Sequence, residues 1–235
     1  LNPDTSLSQI ASTKRMTVYR DMVLIAAGFF ALIPLLAMHR VTDFMIFCIF
    51  VMSFDLLYGY MGRLSFGQML YLGTGVYVST LFSLHFSPNP LLSLMAGVVG
   101  GAIVAGILGL VVVGLEGASF ALTNLAFNQV GFFLIGSAFQ KVTHGEDGIS
   151  AGIEPWGFLD FANESVAFGF VLLCLLFTFF MLRILTSSPY GIVIRSIKEN
   201  ESRVKFLGYN TFFYKWLTFV LAGAFAALAG TLYTL

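Results

Sequence analysis

From residue 22 onward the chain is a series of long apolar runs separated by short polar or glycine-rich breaks. None of the runs alternates with the period of two that a barrel strand requires, and most approach the about 20 residues that a helix needs to cross hydrocarbon. Inside lipid every backbone amide must find its partner within its own segment, so helices are the expected element. Hydropathy predicts seven spans, at Met22–Met38, Phe44–Tyr60, Leu64–Leu84, Leu91–Gly114, Ser119–Phe139, Val166–Leu185 and Tyr214–Leu235. The expected fold is therefore an all-α, polytopic integral membrane protein. A polar N-terminal segment, residues 1–21, precedes a transmembrane domain over 22–235, and no cleavable signal peptide is read in it.

Composition strengthens that reading. Apolar residues make up 58% of the 235 positions and charged residues 10%, against about 45–50% and 25% in ordinary globular chains. Twenty-six Phe exceed what one water-facing core could hide. The net charge of zero excludes an electrostatic nucleic-acid binder. Cys48 and Cys174 each lie inside an apolar run and read as small buried hydrophobes.

The charges set an orientation. Lys14, Arg15 and Arg20 precede the first span, and Arg183, Arg195, Lys198, Arg203, Lys205 and Lys215 gather around the last connection, residues 186–213. The connection 140–165 instead carries Glu146, Asp147, Glu154, Asp160 and Glu164 against the lone Lys141. Seven crossings place 1–21 and 186–213 on one side and 140–165 on the other. The Lys/Arg bias makes the first side cytoplasmic and the second external. Arg40 and Glu116 run against the trend.

Several features carry candidate chemistry. Gly97/Gly101, Ala102/Gly106 and Ala105/Gly109 are small residues four apart, as are Ala222, Ala226 and Gly230, a spacing that lets helix backbones approach closely within the chain or against a second subunit. Asp55 is an acidic residue inside an apolar run and reads as a structural carboxyl, a substrate contact or a proton site. Ser119, Thr123, Asn124, Asn128 and Gln129 bring polar groups to the fifth span, with Asn124 and Asn128 on one face, either for helix-to-helix bonding or to line a path. Between spans two and three, Gly59 to Gln68 holds several glycines, which permit irregular backbone at membrane depth only where protein or water surrounds it.

The connection 186–213 contains a short amphipathic helix. Ser188 is its expected N-cap, Pro189 its first residue and Gly208 its stop. Val204, Phe206 and Leu207 among Glu199, Glu201, Arg203 and Lys205 give it an apolar side that needs a partner, either the membrane surface or a groove in another protein. No phosphate-binding Gly-x-x-x-x-Gly-Lys-Ser/Thr loop and no nucleophile elbow occur, and His39, His85 and His144 are dispersed. The sequence therefore does not read as an enzyme, a metal site or an ATPase.

Four stretches then resemble the M-type permease subunit of bacterial branched-chain amino-acid ABC importers. They are Leu57 to Gln68 with Gly73 to Tyr77, Phe120 to Phe127, His144 to Ile149, and Ser188 to Gly208 continuing into Tyr214 and Lys215. The chain differs from the family's usual pattern at Asp55, Glu116 and Asn124. The resemblance implies a multi-pass subunit of the bacterial cytoplasmic (inner) membrane, N-terminus inside. Its implied partners are a second related permease, two cytoplasmic ATPases that bind ATP and magnesium, and an external solute-binding protein. It also implies that residues 199–208 form the coupling helix, with Glu199, Glu201, Arg203, Val204, Phe206, Leu207 and Gly208 at the ATPase contact. The residues assigned to the translocation path are Asp55, Ser65, Gln68, Thr123, Asn124 and Asn128. The rival reading is a stand-alone ion- or proton-coupled carrier with Asp55 as its titrating group.

Overall fold

The structure, a computed structural model, describes residues 3–138, 161 and 163–234. Its elements, in chain order, are α1 (Pro3–Leu32), α2 (Met38–Asp55) running on into a π-helical turn (Leu56–Met61), α3 (Gln68–His85) and α4 (Pro90–Val112). They continue with α5 (Gly117–Phe133) ending in a second π-helical turn (Leu134–Ala138), α6 (Glu164–Ser187), α7 (Pro189–Phe206) and α8 (Thr211–Leu232). Every element among the described residues is helical, as expected for a chain that must satisfy its backbone inside lipid.

Among the described residues five helices, not the seven expected, are long and apolar enough to cross a membrane: Met38–Met61, Pro90–Val112, Gly117–Ser137, Glu164–Ser187 and Thr211–Leu232. The expected span Met22–Met38 fails because α1 ends at Leu32, just before Pro34, and Arg15, Arg20 and Asp21 precede its short apolar part. The expected span Leu64–Leu84 fails for a different reason. Residues 62–67 are not helical, and α3 buries polar side chains, Gln68, Ser79, Thr80 and Ser83, inside the bundle. An interior helix faces protein rather than lipid and does not need an apolar circumference. At 18 residues it is still about 27 Å long.

Three helices form the dense centre. Gly97, Gly101 and Gly109 of α4 lie against Thr231, Ala227 and Phe219 of α8, and Gly75 of α3 lies on the Ala227 backbone. Tyr71 and Phe219 meet edge to face at 5.6 Å. The small-residue spacings thus seat α4 on α8 of the same chain, resolving which helix is the neighbour. Trp216 adds a polar tie, donating from Nε1 to the Gly106 carbonyl at 2.8 Å.

The apolar core divides between the two ends of the bundle. One cluster gathers Val41, Met45, Ile49, Phe168, Val171 and Leu175 between α2 and α6. The other gathers Leu57, Met61, Phe120, Ile194, Ile197, Val204 and Phe219, so Ile194, Ile197 and Val204 of α7 pack into their own chain. The expected outer connection, 140–165, and the His144 to Ile149 stretch lie almost wholly or wholly outside the described residues.

Candidate functional site

The basic end of the bundle is organised around α7. Ser188 caps it, its Oγ accepting from the Gly191 amide at 3.5 Å, and Pro189 occupies the first helical position. Asn200 then breaks the helix with extended dihedrals, φ −158° and ψ 94°. Its Oδ1 accepts from the Arg203 amide at 2.9 Å, so Asn200 caps a second short helical piece. Gly208 ends that piece at φ +87°, a conformation that favours glycine. The caps at 188, 189 and 208 match expectation; the break at Asn200 replaces the single helix anticipated over 199–208.

Glu201 follows that break and is the hub of the end. Its Oε1 accepts from Lys215 Nζ at 2.8 Å and from Thr211 Oγ1 at 3.0 Å, and pairs with Lys205 Nζ at 2.9 Å. Its Oε2 lies 3.4 Å from Arg63. Burial by itself would raise the Glu201 carboxyl, but the hydrogen bonds from Lys215, Lys205 and Thr211, with the Lys215 charge, hold it at about 2. Arg63 also donates to the Leu115 carbonyl at 2.6 Å and lies 3.7 Å from Glu116. One carboxylate therefore joins α7 to the 62–67 loop and to the start of α8.

Two further cations fasten α7. Lys198 donates to the Gly59 carbonyl at 2.7 Å, across a position where Gly62, at φ +73°, leaves room for the lysine stem. Arg195 donates to the Thr186 carbonyl and lies over the Tyr60 ring at 5.3 Å. On the opposite side Tyr190 reaches Thr218 at 2.7 Å.

The predicted coupling residues consequently separate into two sets. Val204 is buried in the core, and Glu201 is committed to bonds within the chain, so neither presents itself outward. Phe206 and Leu207 are 92% and 71% exposed, and Glu199 and Arg203 are exposed beside them.

The predicted path residues do not share one site. Asp55 is exposed at the end of α2, and it lines a small cavity of about 140 Å³ with Tyr60, Arg183 and Thr186. Gln68 is buried, donating from Nε2 to Ser53 Oγ at 3.3 Å and to the Ala222 carbonyl at 3.2 Å, while its Oε1 has no partner. Ser65 is buried and accepts from the Gly67 amide at 3.4 Å. Asn124 is buried and donates to the Phe120 carbonyl at 2.8 Å, whereas Thr123 and Asn128 are half-buried. Asn128 lines a cavity of about 480 Å³ with Tyr77 and Gln129.

Arg63, Lys198, Thr211 and Lys215 had not been singled out as site residues. Lys215 offered a signal: it sits near the start of an apolar helix, where a lysine requires an acidic partner. Which carboxylate answers it depends on tertiary contact.

A helical bundle with five apolar helices among the described residues is the build of a polytopic membrane protein. The family described as the branched-chain amino acid transport system / permease component matches residues 36–235, and the chain belongs to it. It is a transport subunit, a permease component of an ABC-type system, rather than an enzyme. No curated protein and no solved structure matches the chain.

Proposed function

We propose that this chain is the membrane-spanning permease subunit of an ATP-driven importer for branched-chain or related amino acids. It works in a bacterial cytoplasmic membrane with its N-terminus and basic end inside. A second related permease completes the path, an external solute-binding protein delivers the solute, and two cytoplasmic ATPases bind ATP and magnesium. The chain itself needs no cofactor.

The observation that carries this reading is the pair Phe206 and Leu207. Two large apolar side chains stand 92% and 71% exposed at a polar, basic end, on a piece whose other side is anchored by Val204 and Glu201. An apolar pair with a rigid footing suits a groove in a partner protein better than solvent. The coupling surface is then Glu199, Arg203, Phe206 and Leu207, with Glu201, Val204 and Gly208 holding its shape. Closure of the ATPase pair moves this piece, and the Arg63–Glu201–Lys215 cluster passes the displacement to the 62–67 loop and α8. The motion follows only if the ATPases bind the two positions with different affinity.

The test is co-purification of the ATPases with single variants. Phe206→Asp and Leu207→Asp should release them while the permease remains folded and paired; Val204→Asp should instead lower the yield of folded protein. Full ATPase recovery with unimpaired ATP-driven uptake in both exposed-site variants would reject the coupling assignment.

A further inference from the structure

Two cavities of nearly equal size border α5, one at its start and one toward its far end. The inner one, about 490 Å³, is lined by Met61 to Leu64, by Glu116 to Ala118 with Ala121, and by Ile197, Lys198 and Glu201 of α7. The middle one, about 480 Å³, is lined by Met69, Leu70, Gly73 and Tyr77 of α3, by Asn128, Gln129, Gly131 and Phe132 of α5, and by Ile135 and Gly136 of the turn that follows. Both sizes fall in the range of about 300–1,000 Å³ usual for small-molecule sites. Between them the chains touch: a Cβ added to Gly67 would lie 2.6 Å from the Asn124 carbonyl oxygen.

The chemistry of the two differs in a useful way. The inner cavity holds charges of both signs over an apolar floor. Lys198 spends one of its three N–H donors on Gly59, and the Glu116 side chain is 73% exposed. The middle cavity is mostly apolar, with Tyr77, Asn128 and Gln129 as its polar groups. Among the described residues neither Asn128 nor Gln129 has a hydrogen-bond partner, although both lie in a helix apolar enough to span. Side-chain amides left unpaired at that depth are costly unless a solute, water or another subunit meets them.

We propose that the seam between α3 and α5 is the solute groove, with a middle chamber at Asn128, a neck at Gly67 and Asn124, and an inner vestibule at Arg63, Lys198 and Glu116. Its occupant is a zwitterionic amino acid with an aliphatic side chain. The apolar wall of the chamber takes the side chain, and Asn128 and Gln129 bind the polar end. In the vestibule the cations meet the carboxylate and Glu116 meets the ammonium. At the neck only glycine fits against the Asn124 backbone, so the passage opens when the two segments move apart. The proposal rests on the importer reading above and adds to it where the solute passes.

Cysteine labelling in the complete transporter tests it. In a background with Cys48 and Cys174 replaced, Ala118→Cys, Asn128→Cys and, as a control, Leu122→Cys are treated with a small charged thiol reagent. Leu122 is 60% exposed on α5 but lines neither cavity. Cysteines at 118 and 128 should react, and L-leucine with ATP should slow both reactions while leaving 122 unchanged. Gly67→Ala should lose most ATP-driven leucine uptake with subunit assembly retained. No reaction or no protection at 118 and 128, or undiminished uptake by Gly67→Ala, overturns the groove assignment. If uptake in the parent remains ATP-dependent in that case, the importer reading survives; if the parent takes up leucine without ATP, that reading falls and the groove's role falls with it.

Discussion

Glu201 gathers Arg63, Lys205, Thr211 and Lys215 around a single carboxylate, and the behaviour of that group with pH follows from its surroundings. Its folded value, about 2, lies below the ordinary 4.5, so the stabilisation is complete above pH 4.5 and is lost as pH falls through 2. The melting point of the detergent-solubilised protein should therefore be lower in Glu201→Gln than in the parent by a constant margin between pH 5 and 8. That margin should shrink below pH 4.5. Leaving Lys215, 4% exposed, without its carboxylate should cost about 3–5 kcal/mol. A margin that grows on acidification would mean that the carboxylate is not the group holding the lysine. The hub was only half legible in the sequence. Glu201 and Lys215 stood out as charges, but Lys215 is 14 residues away and Arg63 is 138 away, so their meeting is a property of the fold.

Among the elements, α3, expected from hydropathy as a span, shows most plainly what a run of apolar positions does not reveal. A window that averages side chains treats Gln68, Ser79, Thr80 and Ser83 as contacts with lipid, whereas the bundle pairs or encloses them. Ser79, for instance, lies 3.1 Å from Thr234. Local chemistry was more readable: the caps of α7 and the glycine at 208 depend on neighbours a few residues away. The close approaches of α4 and α8 were readable as spacings, though not as partners. Two glycines of α3 sharpen the point. An added Cβ at Gly75 collides with the Ala227 backbone, while one at Gly73 meets nothing within 4 Å. Gly75→Ala should destabilise the bundle by about 1–3 kcal/mol, whereas Gly73→Ala should be neutral or gain up to about 1 kcal/mol from helix propensity. Thermal unfolding of the two variants side by side checks the helix contact; equal melting points would contradict it.

On the scale of the molecule, burial is uneven in a way that points outward from the chain. Half of the α8 window is buried within the chain, but only 17% of the window over Gly117–Ser137 is. That helix nevertheless carries Thr123, Asn128 and Gln129, and it exposes Val130, Phe132 and Phe133 beside them. Lipid can cover the phenylalanines but offers nothing to the amides. The second permease of the proposed importer would cover both, and would also close the proposed groove on the side that one chain leaves open. A photoreactive amino acid at Phe133, 63% exposed and outside both cavities, should therefore capture the second permease in intact membranes. The same probe at Ile107, 62% exposed on α4, should capture lipid, because α4 already has its helix partner in α8. Lipid adducts alone at Phe133 would place the subunit contact elsewhere on the bundle and leave the unpaired amides of α5 to the solute and its water.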